Sequence, residues 1–286
     1  MKPIASVAVV TILAFLAFGA VGSDVDHRTS LLVESGAPTD TYFHVDLAYG
    51  DDDNDGLTPD AAFATVQKGI DMAKDGDTVL VWPGTYTEAI DFQGKAITVR
   101  SAETPAQLEA PGGFAVTFAA GESHGSVLRN FIIKNSRMAV FAAATSPTIT
   151  NLTILDNEYG IGAYGHCRPD IRNSIFLNNA NGDLFQCQAR YSCLSGGGDT
   201  NVDADPLFVD PNDCDYHLRS GTGRYSPQQN VWVIDDLTSP CIDAGDPSFD
   251  CSDEPAPNGG RVNIGAYGGT GYASLGKSHA GRDVSP

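Results

Sequence analysis

The sequence predicts an all-β solenoid, a fold in which short strands recur along the chain and stack as successive coils. Three observations support this prediction: a repeat of about 22 residues in the middle of the chain, two polar columns rich in Asn that recur with it, and a composition with 31 Gly and 16 Pro in which Asp far outnumbers Glu. That composition favours turns over helices. The pattern therefore disfavours a mostly helical protein.

The chain begins with a segment typical of a secretory signal peptide. An apolar run extends over Ile4–Val21 and is followed by small residues. A membrane anchor is the alternative, but a membrane span needs roughly 20 apolar residues and flanking charges. We expect residues 1–23 to be cleaved near Ser23 and residues 24–41 to form a flexible segment. The mature protein would then be secreted or displayed at the cell surface, without a membrane span.

The charge of the chain restricts its partners. Its 286 residues carry 36 acidic and 17 basic side chains, which gives a net charge of −19. Nucleic-acid binding requires clustered Lys and Arg, so we expect no nucleic-acid partner. A polyanion would bind only locally or through a bridging cation. We expect the protein to be a monomer.

A single short helix is predicted before the coils begin. Residues 65–73 have helical character, with Thr65 as the N-cap and Gly76 just beyond the end. A strand-like run follows directly over Thr78–Trp82. Because the end of a solenoid exposes backbone groups and core side chains, we expect the helix to cover it.

The repeat is clearest in three segments with alternating apolar residues, the period of a β-strand. These segments are residues 128–133, 149–154 and 171–176. Asn tolerates the left-handed conformation that tight bends need, and amides stacked on successive coils can bond along the column. We therefore predict structural Asn ladders at the recurring positions, which are Asn130, Asn151 and Asn173 in one column and Asn157 and Asn179 in the other.

Further segments on both sides of the repeat resemble the entry and exit segments of right-handed parallel β-helix proteins of the pectate-lyase-like superfamily, many of them secreted and bacterial. These segments are residues 42–46, 50–59 and 63–70 before the repeat, and 204–209, 215–218, 239–245 and 263–268 after it. The resemblance implies one β-helix domain over residues 42–270. Within it we expect an N-terminal cap (42–77), coils (78–192) and an irregular, loop-rich C-terminal segment (193–270), followed by a tail (271–286).

The acidic turn near the N-terminal cap is a candidate calcium site. Asp51, Asp53 and Asp55 alternate ahead of Gly56, as in the first half of a calcium-binding loop. The position of the closing Glu of an EF-hand falls at Ala62, so that motif is incomplete. A solvated acidic turn is the alternative. We expect Ca²⁺ here in a structural role.

The resemblance also implies a reaction, the β-elimination of an acidic polysaccharide. Related lyases hold Ca²⁺ with acidic side chains outside the coils and use a Lys or Arg as base. No complete active-site motif of the family is present, so candidates come from residues expected to point outward. The candidate catalytic residues are Lys134, Arg137 and His166, and the candidate substrate-binding residues are Glu158, Tyr159, Tyr164, Arg168 and Asp183.

Two functions follow from these patterns. The first is a calcium-assisted lyase that cleaves a uronate glycan. The second is a non-catalytic β-helix protein that binds glycan or forms a rigid extracellular structure, which accounts for the small number of basic residues and the incomplete motif.

The six cysteines are candidates for disulfides if the protein is exported. They allow 15 pairings, so the connectivity does not follow from the sequence. The short loop between Cys241 and Cys251 favours that pair. No Cys-x-x-Cys motif is present, which disfavours zinc or thioredoxin-type chemistry.

Overall fold

The computed structural model describes residues 40–277, which form a parallel β-helix with one α-helix. The predicted signal peptide (1–23), most of the predicted flexible segment and the end of the predicted tail lie outside these residues. No helix within the described part of the chain is long and apolar enough to cross a membrane.

The α-helix α1 spans Val66–Met72, and two single-turn 3₁₀ helices span Pro59–Ala61 and Pro211–Asp213. The strands, in chain order, are β1 Tyr42–Val45, β2 Thr78–Val81, β3 Thr85–Thr87, β4 Ile90–Asp91, β5 Thr98–Ser101, β6 Ala106–Glu109, β7 Phe114–Phe118, β8 Val127–Arg129, β9 Phe131–Lys134, β10 Met138–Ala143, β11 Thr148–Thr150, β12 Thr153–Leu155, β13 Tyr159–Tyr164, β14 Asp170–Arg172, β15 Ile175–Leu177, β16 Leu184–Phe185, β17 Ala189–Arg190, β18 Phe208–Asp210, β19 Asp215–Leu218, β20 Arg224–Ser226 and β21 Val231–Val233.

Three parallel sheets form the walls of the β-helix. Sheet A has the order β1-β2-β5-β8-β11-β14-β17, sheet B the order β15-β12-β9-β6-β3, and sheet C the order β16-β13-β10-β7-β4. Each coil contributes one strand to each sheet. The predicted all-β solenoid with parallel coils is confirmed.

The core is built from columns of apolar side chains that repeat from coil to coil. In sheet A, strand register aligns Val79, Val99, Leu128, Ile149 and Ile171, and all five side chains are buried. Their neighbours in sequence point outward because side chains alternate along a strand. Stacking therefore produces a continuous apolar core inside the coils.

Helix α1 caps the N-terminal end of this core. The Thr65 hydroxyl accepts a hydrogen bond from the Lys68 backbone N–H, which confirms the predicted N-cap. The buried face of the helix consists of Val66, Gly69 and Ile70. A Cβ at Gly69 would lie 2.7 Å from a methyl carbon of Val79, so only glycine allows this close approach.

The chain beyond β17 folds back along the outside of the coils, mostly without regular structure. It includes two short antiparallel pairs, β18–β19 and β20–β21. A second apolar core forms where Ile264 and Ala266 pack with Ile132, Leu155 and Ile175, which point outward from sheet B. The C-terminal segment thereby covers the outer face of sheet B and its bend to sheet A.

The two Asn columns have different roles. The Asn157 side-chain amide donates to the Asn179 side-chain oxygen at 3.1 Å, and the Asn157 oxygen accepts from the Ser136 backbone N–H at 3.0 Å, as in a ladder between coils. In the other column, Asn130 donates to the carbonyl oxygens of Ala266 and Gly268, both at 2.9 Å.

Asn151 and Asn173 behave like Asn130. Asn151 donates to the Asn263 carbonyl at 3.2 Å, and the Asn173 side-chain oxygen accepts from the Asp246 N–H at 2.7 Å. The prediction that this column forms a ladder is therefore corrected. These amides bond to the C-terminal segment because that segment lies against their bend.

Candidate functional site

A cleft lies between the outer face of sheet A and residues 249–272 of the C-terminal segment. It consists of two adjoining cavities of about 410 and 310 Å³, which share Arg129, Asn130, Asp253 and Gly269. We call it the arginine cleft. The first cavity also contains Arg100, Glu103 and Tyr272, and the second contains Phe249 and Asp250.

Strand alternation places the two arginines on this surface. Val99 and Leu128 point into the core, so the next residues, Arg100 and Arg129, point outward. They are register partners on the adjacent strands β5 and β8. Side chains of register partners lie next to each other, so two positive charges are neighbours on this face of the sheet.

The same column shows how arginines are paired elsewhere. Two strands further on, Arg172 contacts Asp170 at 2.6 Å and Asp246 at 2.8 Å. In contrast, Arg129 forms no ion pair with any described residue, and its buried Nε has no hydrogen-bond partner. Among the described residues, the Arg100 guanidinium donates only to the Ser101 carbonyl oxygen, at 3.1 Å. The cleft therefore contains guanidinium groups with unused donors.

The electrostatics of the cleft favour an anionic ligand. Burial and then the positive charge of Arg100 lower the pKa of Arg129, while the Asp253 carboxylate acts in the opposite direction. Arg129 thus carries a charge that is poorly solvated and has no close partner. The carboxylate of a ligand would balance this positive charge and accept its hydrogen bonds, because guanidinium groups bind carboxylates through paired N–H donors.

The C-terminal wall of the cleft is held by buried polar contacts. One oxygen of Glu254 accepts the N–H groups of Asn263 and Gly269 at 2.8 and 2.7 Å. Burial raises the pKa of Glu254 to about 7, and these two hydrogen bonds limit the increase. Gly268 lies so close to the Asn263 carbonyl oxygen that any side chain would collide with it.

Aromatic rings line the rim of the cleft. Tyr272 packs edge-on against Tyr225 with 5.3 Å between ring centroids, and Tyr225 packs against Trp232 in the hairpin β20–β21. On the other side, the guanidinium of Arg172 lies 5.7 Å from the ring centroid of Phe249. The rim therefore offers apolar ring surface next to charged donors.

The structure separates the three candidate catalytic residues from one another. Lys134, at the end of β9, is covered by the C-terminal segment. Its ammonium group lies 3.3 Å from the Cys214 sulfur, 3.8 Å from Glu109 and 5.8 Å from the Tyr216 ring centroid. Burial acts to lower the pKa of Lys134, but the contacts with Cys214 and Tyr216 raise it above its ordinary value. A lysine kept protonated in this way is a poor general base.

Arg137 and Glu158 line one open cavity of about 550 Å³ at the bend between sheets B and C, so these two predicted residues do lie together. The Arg137 guanidinium stands 5.8 Å from the ring centroid of Phe114. Tyr159 follows Glu158 and begins β13, where its N–H bonds to the Arg137 carbonyl. Lys134 does not line this cavity.

The other predicted residues serve different parts of the coils. His166 and Arg168 lie exposed in the turn between β13 and β14. Asp183 accepts a hydrogen bond from Asn179 at 2.8 Å. Tyr164 stands between Phe141 and Phe185, with 5.3 Å between neighbouring ring centroids. Both faces of the Tyr164 ring thus have aromatic neighbours, which leaves mainly its edge for a sugar.

The acidic turn does not bring its carboxylates together around a common point. Asp51 accepts the Asp53 N–H and Asp55 accepts the Leu57 N–H, each at 3.0 Å, so both carboxylates close their own local turns. Asp52, between them, accepts from the N–H and hydroxyl of Thr65. Within residues 40–277, no group of three or more acidic, His or Cys side chains is arranged to hold a metal ion. The structure thus gives no assembled calcium site in this turn, and Ca²⁺ binding stays a prediction from the sequence.

The arginine cleft is not predicted from the sequence, because half of its residues belong to a segment without a repeat. The available signal was the alternation in β5 and β8, which places Arg100 and Arg129 on the same outer face. Asp253, Gly269 and Tyr272 follow more than 120 residues after Arg129. No local pattern indicates that they lie beside it.

The comparisons with known proteins concern the β-helix. The model of a family described as disaggregatase related matches residues 114–245. A comparison with curated proteins finds no match.

Among solved structures, the chain is similar to the GH136 lacto-N-biosidase of Eubacterium ramulus, with 15% identity, a TM-score of 0.43, and coverage of 52% of this chain and 36% of that one. It is also similar to pectate lyase Pel9A, with 10% identity, a TM-score of 0.24, and coverage of 81% of this chain and 97% of that one. The chain thus spans about a third of the length of the first of these structures.

Proposed function

We propose that the protein is carbohydrate-directed and binds an acidic glycan in the arginine cleft, with a uronate carboxylate between Arg100 and Arg129. The observation that carries the proposal is the buried Nε of Arg129, which has no hydrogen-bond partner among residues 40–277 although Arg129 stands next to a second arginine. A carboxylate would satisfy these donors and reduce the repulsion between the two side chains.

The cleft fits a sugar acid better than other anions. Tyr272 and Phe249 lie on its rim, and sugar rings have apolar faces that pack on aromatic rings. The carboxylates of Glu103, Asp250 and Asp253 can accept hydrogen bonds from hydroxyl groups. The net charge of −19 repels any extended polyanion, so we expect contact with an acidic glycan only locally, at the two arginines.

A lyase reaction is the finer form of this proposal. Pairing the uronate carboxylate with guanidinium groups would make the proton on the adjacent carbon more acidic. A base removes that proton, and the electron pair of the C–H bond forms a C=C bond. The bond to the neighbouring glycosidic oxygen breaks, and this oxygen leaves with the bonding pair and takes up a proton from water. The Asp253 carboxylate lines both cavities of the cleft together with Arg129, and we assign the base to it. No step requires a metal ion.

A non-catalytic glycan-binding role is the second candidate. The separation of Lys134, Arg137 and His166 favours it, since the residues expected to perform elimination are not assembled at one site. The arginine cleft serves this role as well, because binding requires only its arginines and its rim.

Binding is tested by calorimetric titration of the protein with oligogalacturonate, with a neutral galactan as the comparison. We expect Arg129→Gln to weaken uronate binding by at least about tenfold, because it removes a buried charge that contacts the ligand. Lys74→Gln removes one positive charge from an exposed position beside helix α1 and should leave the affinity unchanged. Equal affinity in the Arg129 variant would refute the proposed site.

Turnover is tested with the same glycans by ultraviolet absorbance, which detects the unsaturated sugar that elimination produces. A lyase gives rising absorbance that Asp253→Asn abolishes while binding is retained. If uronate binds and absorbance stays flat, the protein is a binding module rather than a lyase.

We further propose that the protein is exported, on the basis of its N-terminal sequence. Expression of the full chain in a secreting bacterial host, followed by N-terminal sequencing, tests this proposal. A mature chain starting near Asp24 supports export, whereas a chain that keeps residues 1–23 contradicts cleavage.

A further inference from the structure

Two cysteines meet where the C-terminal segment packs against the last coil. Cys193 follows β17 and forms parallel bridges with Ile175 on one side and Val202 on the other, so it extends sheet B by one position. Cys241 belongs to the C-terminal segment, and its carbonyl accepts the Ile264 N–H at 2.9 Å. The two residues are 48 positions apart in sequence but lie in the same apolar core.

Both side chains are buried there, with 2% of Cys193 and 0% of Cys241 exposed. Both residues are held against the same short segment, residues 204–206. The Cys193 sulfur donates to the Ala204 carbonyl oxygen at 3.2 Å. The Ser239 hydroxyl, which accepts the Cys241 backbone N–H, donates to the Pro206 carbonyl oxygen at 2.6 Å.

Two of the other cysteines, Cys167 and Cys187, line a common cavity of about 310 Å³; the remaining two are placed differently. Cys214 is exposed and contacts Lys134, and Cys251 is partly exposed. Cys251 lies outside the apolar core that Cys193 and Cys241 share, which favours Cys193 over Cys251, the partner expected from sequence, as the partner of Cys241. Cys241 has Cys193 as its neighbour instead.

We propose that Cys193 and Cys241 form a disulfide that fastens the C-terminal segment to the last coil. A bond across 48 residues restricts the unfolded chain strongly, and here it would join two surfaces that already pack together. The segment that it fastens includes Asp246, which pairs with Arg172, and continues into the wall of the arginine cleft. The proposal does not depend on what the cleft binds.

The bond forms with a disulfide donor such as oxidised glutathione, before packing buries the two thiols. The thiolate of one cysteine attacks the donor, releases one donor thiolate and forms a mixed disulfide. The thiolate of the second cysteine attacks the protein sulfur of that mixed disulfide and releases the second donor thiolate. The protein loses two protons and two electrons, and the donor leaves as two reduced thiols.

The test is to refold the reduced full-length chain in a buffer of reduced and oxidised glutathione, alkylate free thiols in denaturant, and map peptides by mass spectrometry without reduction. We expect a cross-linked pair that contains Cys193 and Cys241, two mass units lighter than the two thiol peptides together. Alkylation of both residues, or a bond from Cys241 to Cys251, would overturn the proposal.

Thermal melting provides an independent measurement. The melting temperature of the oxidised protein should exceed that of the reduced protein, and Cys193→Ser should abolish the difference. Cys251→Ser is the matched control and should keep it. A difference that persists in Cys193→Ser, or disappears in Cys251→Ser, would contradict the assignment. If Cys193→Ser fails to fold, the peptide map of the unmodified sequence decides alone.

Discussion

Arg129 and Arg172 occupy the same column on the outer face of sheet A, each in register with Thr150, yet only Arg172 is neutralised by neighbouring acids. Asp170 and Asp246 contact Arg172, whereas the Nε of Arg129 is buried and has no hydrogen-bond partner in the part of the chain that the structure describes. The column thus contains one arginine that supports the fold and one that is available to a ligand.

Replacing these two arginines by methionine should change stability in opposite directions. Arg129→Met removes a poorly solvated charge and keeps an apolar stem, so we expect the free energy of unfolding to rise by about 1 kcal/mol. Arg172→Met leaves the buried Asp246 carboxylate without its arginine partner, so the free energy of unfolding should fall by roughly 1–3 kcal/mol. Urea denaturation of both variants measures the two effects. Loss of stability in Arg129→Met would show that this side chain is paired in solution.

The two Asn columns should respond to mutation in different places. Asn151→Ala removes hydrogen bonds to the C-terminal segment, and Asn157→Ala removes bonds between coils. Each change should cost roughly 1–3 kcal/mol, because buried partners are left unsatisfied. Hydrogen exchange distinguishes them: Asn151→Ala should increase exchange in residues 263–268, and Asn157→Ala in the bends between sheets B and C. The same exchange pattern in both variants would contradict the separate roles.

The raised pKa of Glu254 predicts a specific pH dependence of stability. Its pKa rises from about 4.5 to about 7 on folding, so between these values the folded state binds more protons than the unfolded state. This contribution to stability is fully present below about pH 4.5 and is lost as the pH rises through 7, by ~3 kcal/mol in total.

The comparison of wild type with Glu254→Gln isolates this contribution, because all other titrating groups are shared. We expect the variant to gain stability relative to wild type between pH 5 and pH 8, as measured by urea denaturation at each pH. A difference between the two proteins that is constant over this range would contradict a raised pKa.

The acidic turn should depend on Asp52 rather than on the alternating aspartates. Asp52→Ala removes three hydrogen bonds to Ala64 and Thr65 and should lower stability by roughly 1–2 kcal/mol. The exposed Asp53 is the matched control, and Asp53→Ala should have little effect. EDTA should leave the melting temperature unchanged. A decrease that added calcium reverses would instead support the calcium loop predicted from sequence.

The coils and the capping helix were predictable because their signals are local. Alternation in segments such as residues 149–154 places apolar side chains on one side of each strand, and Thr65 begins a helix with its own hydroxyl. The spacing of Asn157 and Asn179, 22 residues, equals one coil, so stacking alone brings their side chains together. Any chain with these periods buries the same residues.

The arginine cleft was not predictable in this way. Arg172 is paired because Asp246, 74 residues later, packs beside it, and Arg129 is unpaired because the chain near Gly269 brings no carboxylate into contact with it. For the same reason, the Asn130 side chain donates to the carbonyl oxygens of Ala266 and Gly268 instead of forming a ladder between coils. A repeat fixes which side chains face outward. Which residues those side chains contact depends on where the non-repeating segment packs, and only long-range contacts determine that position.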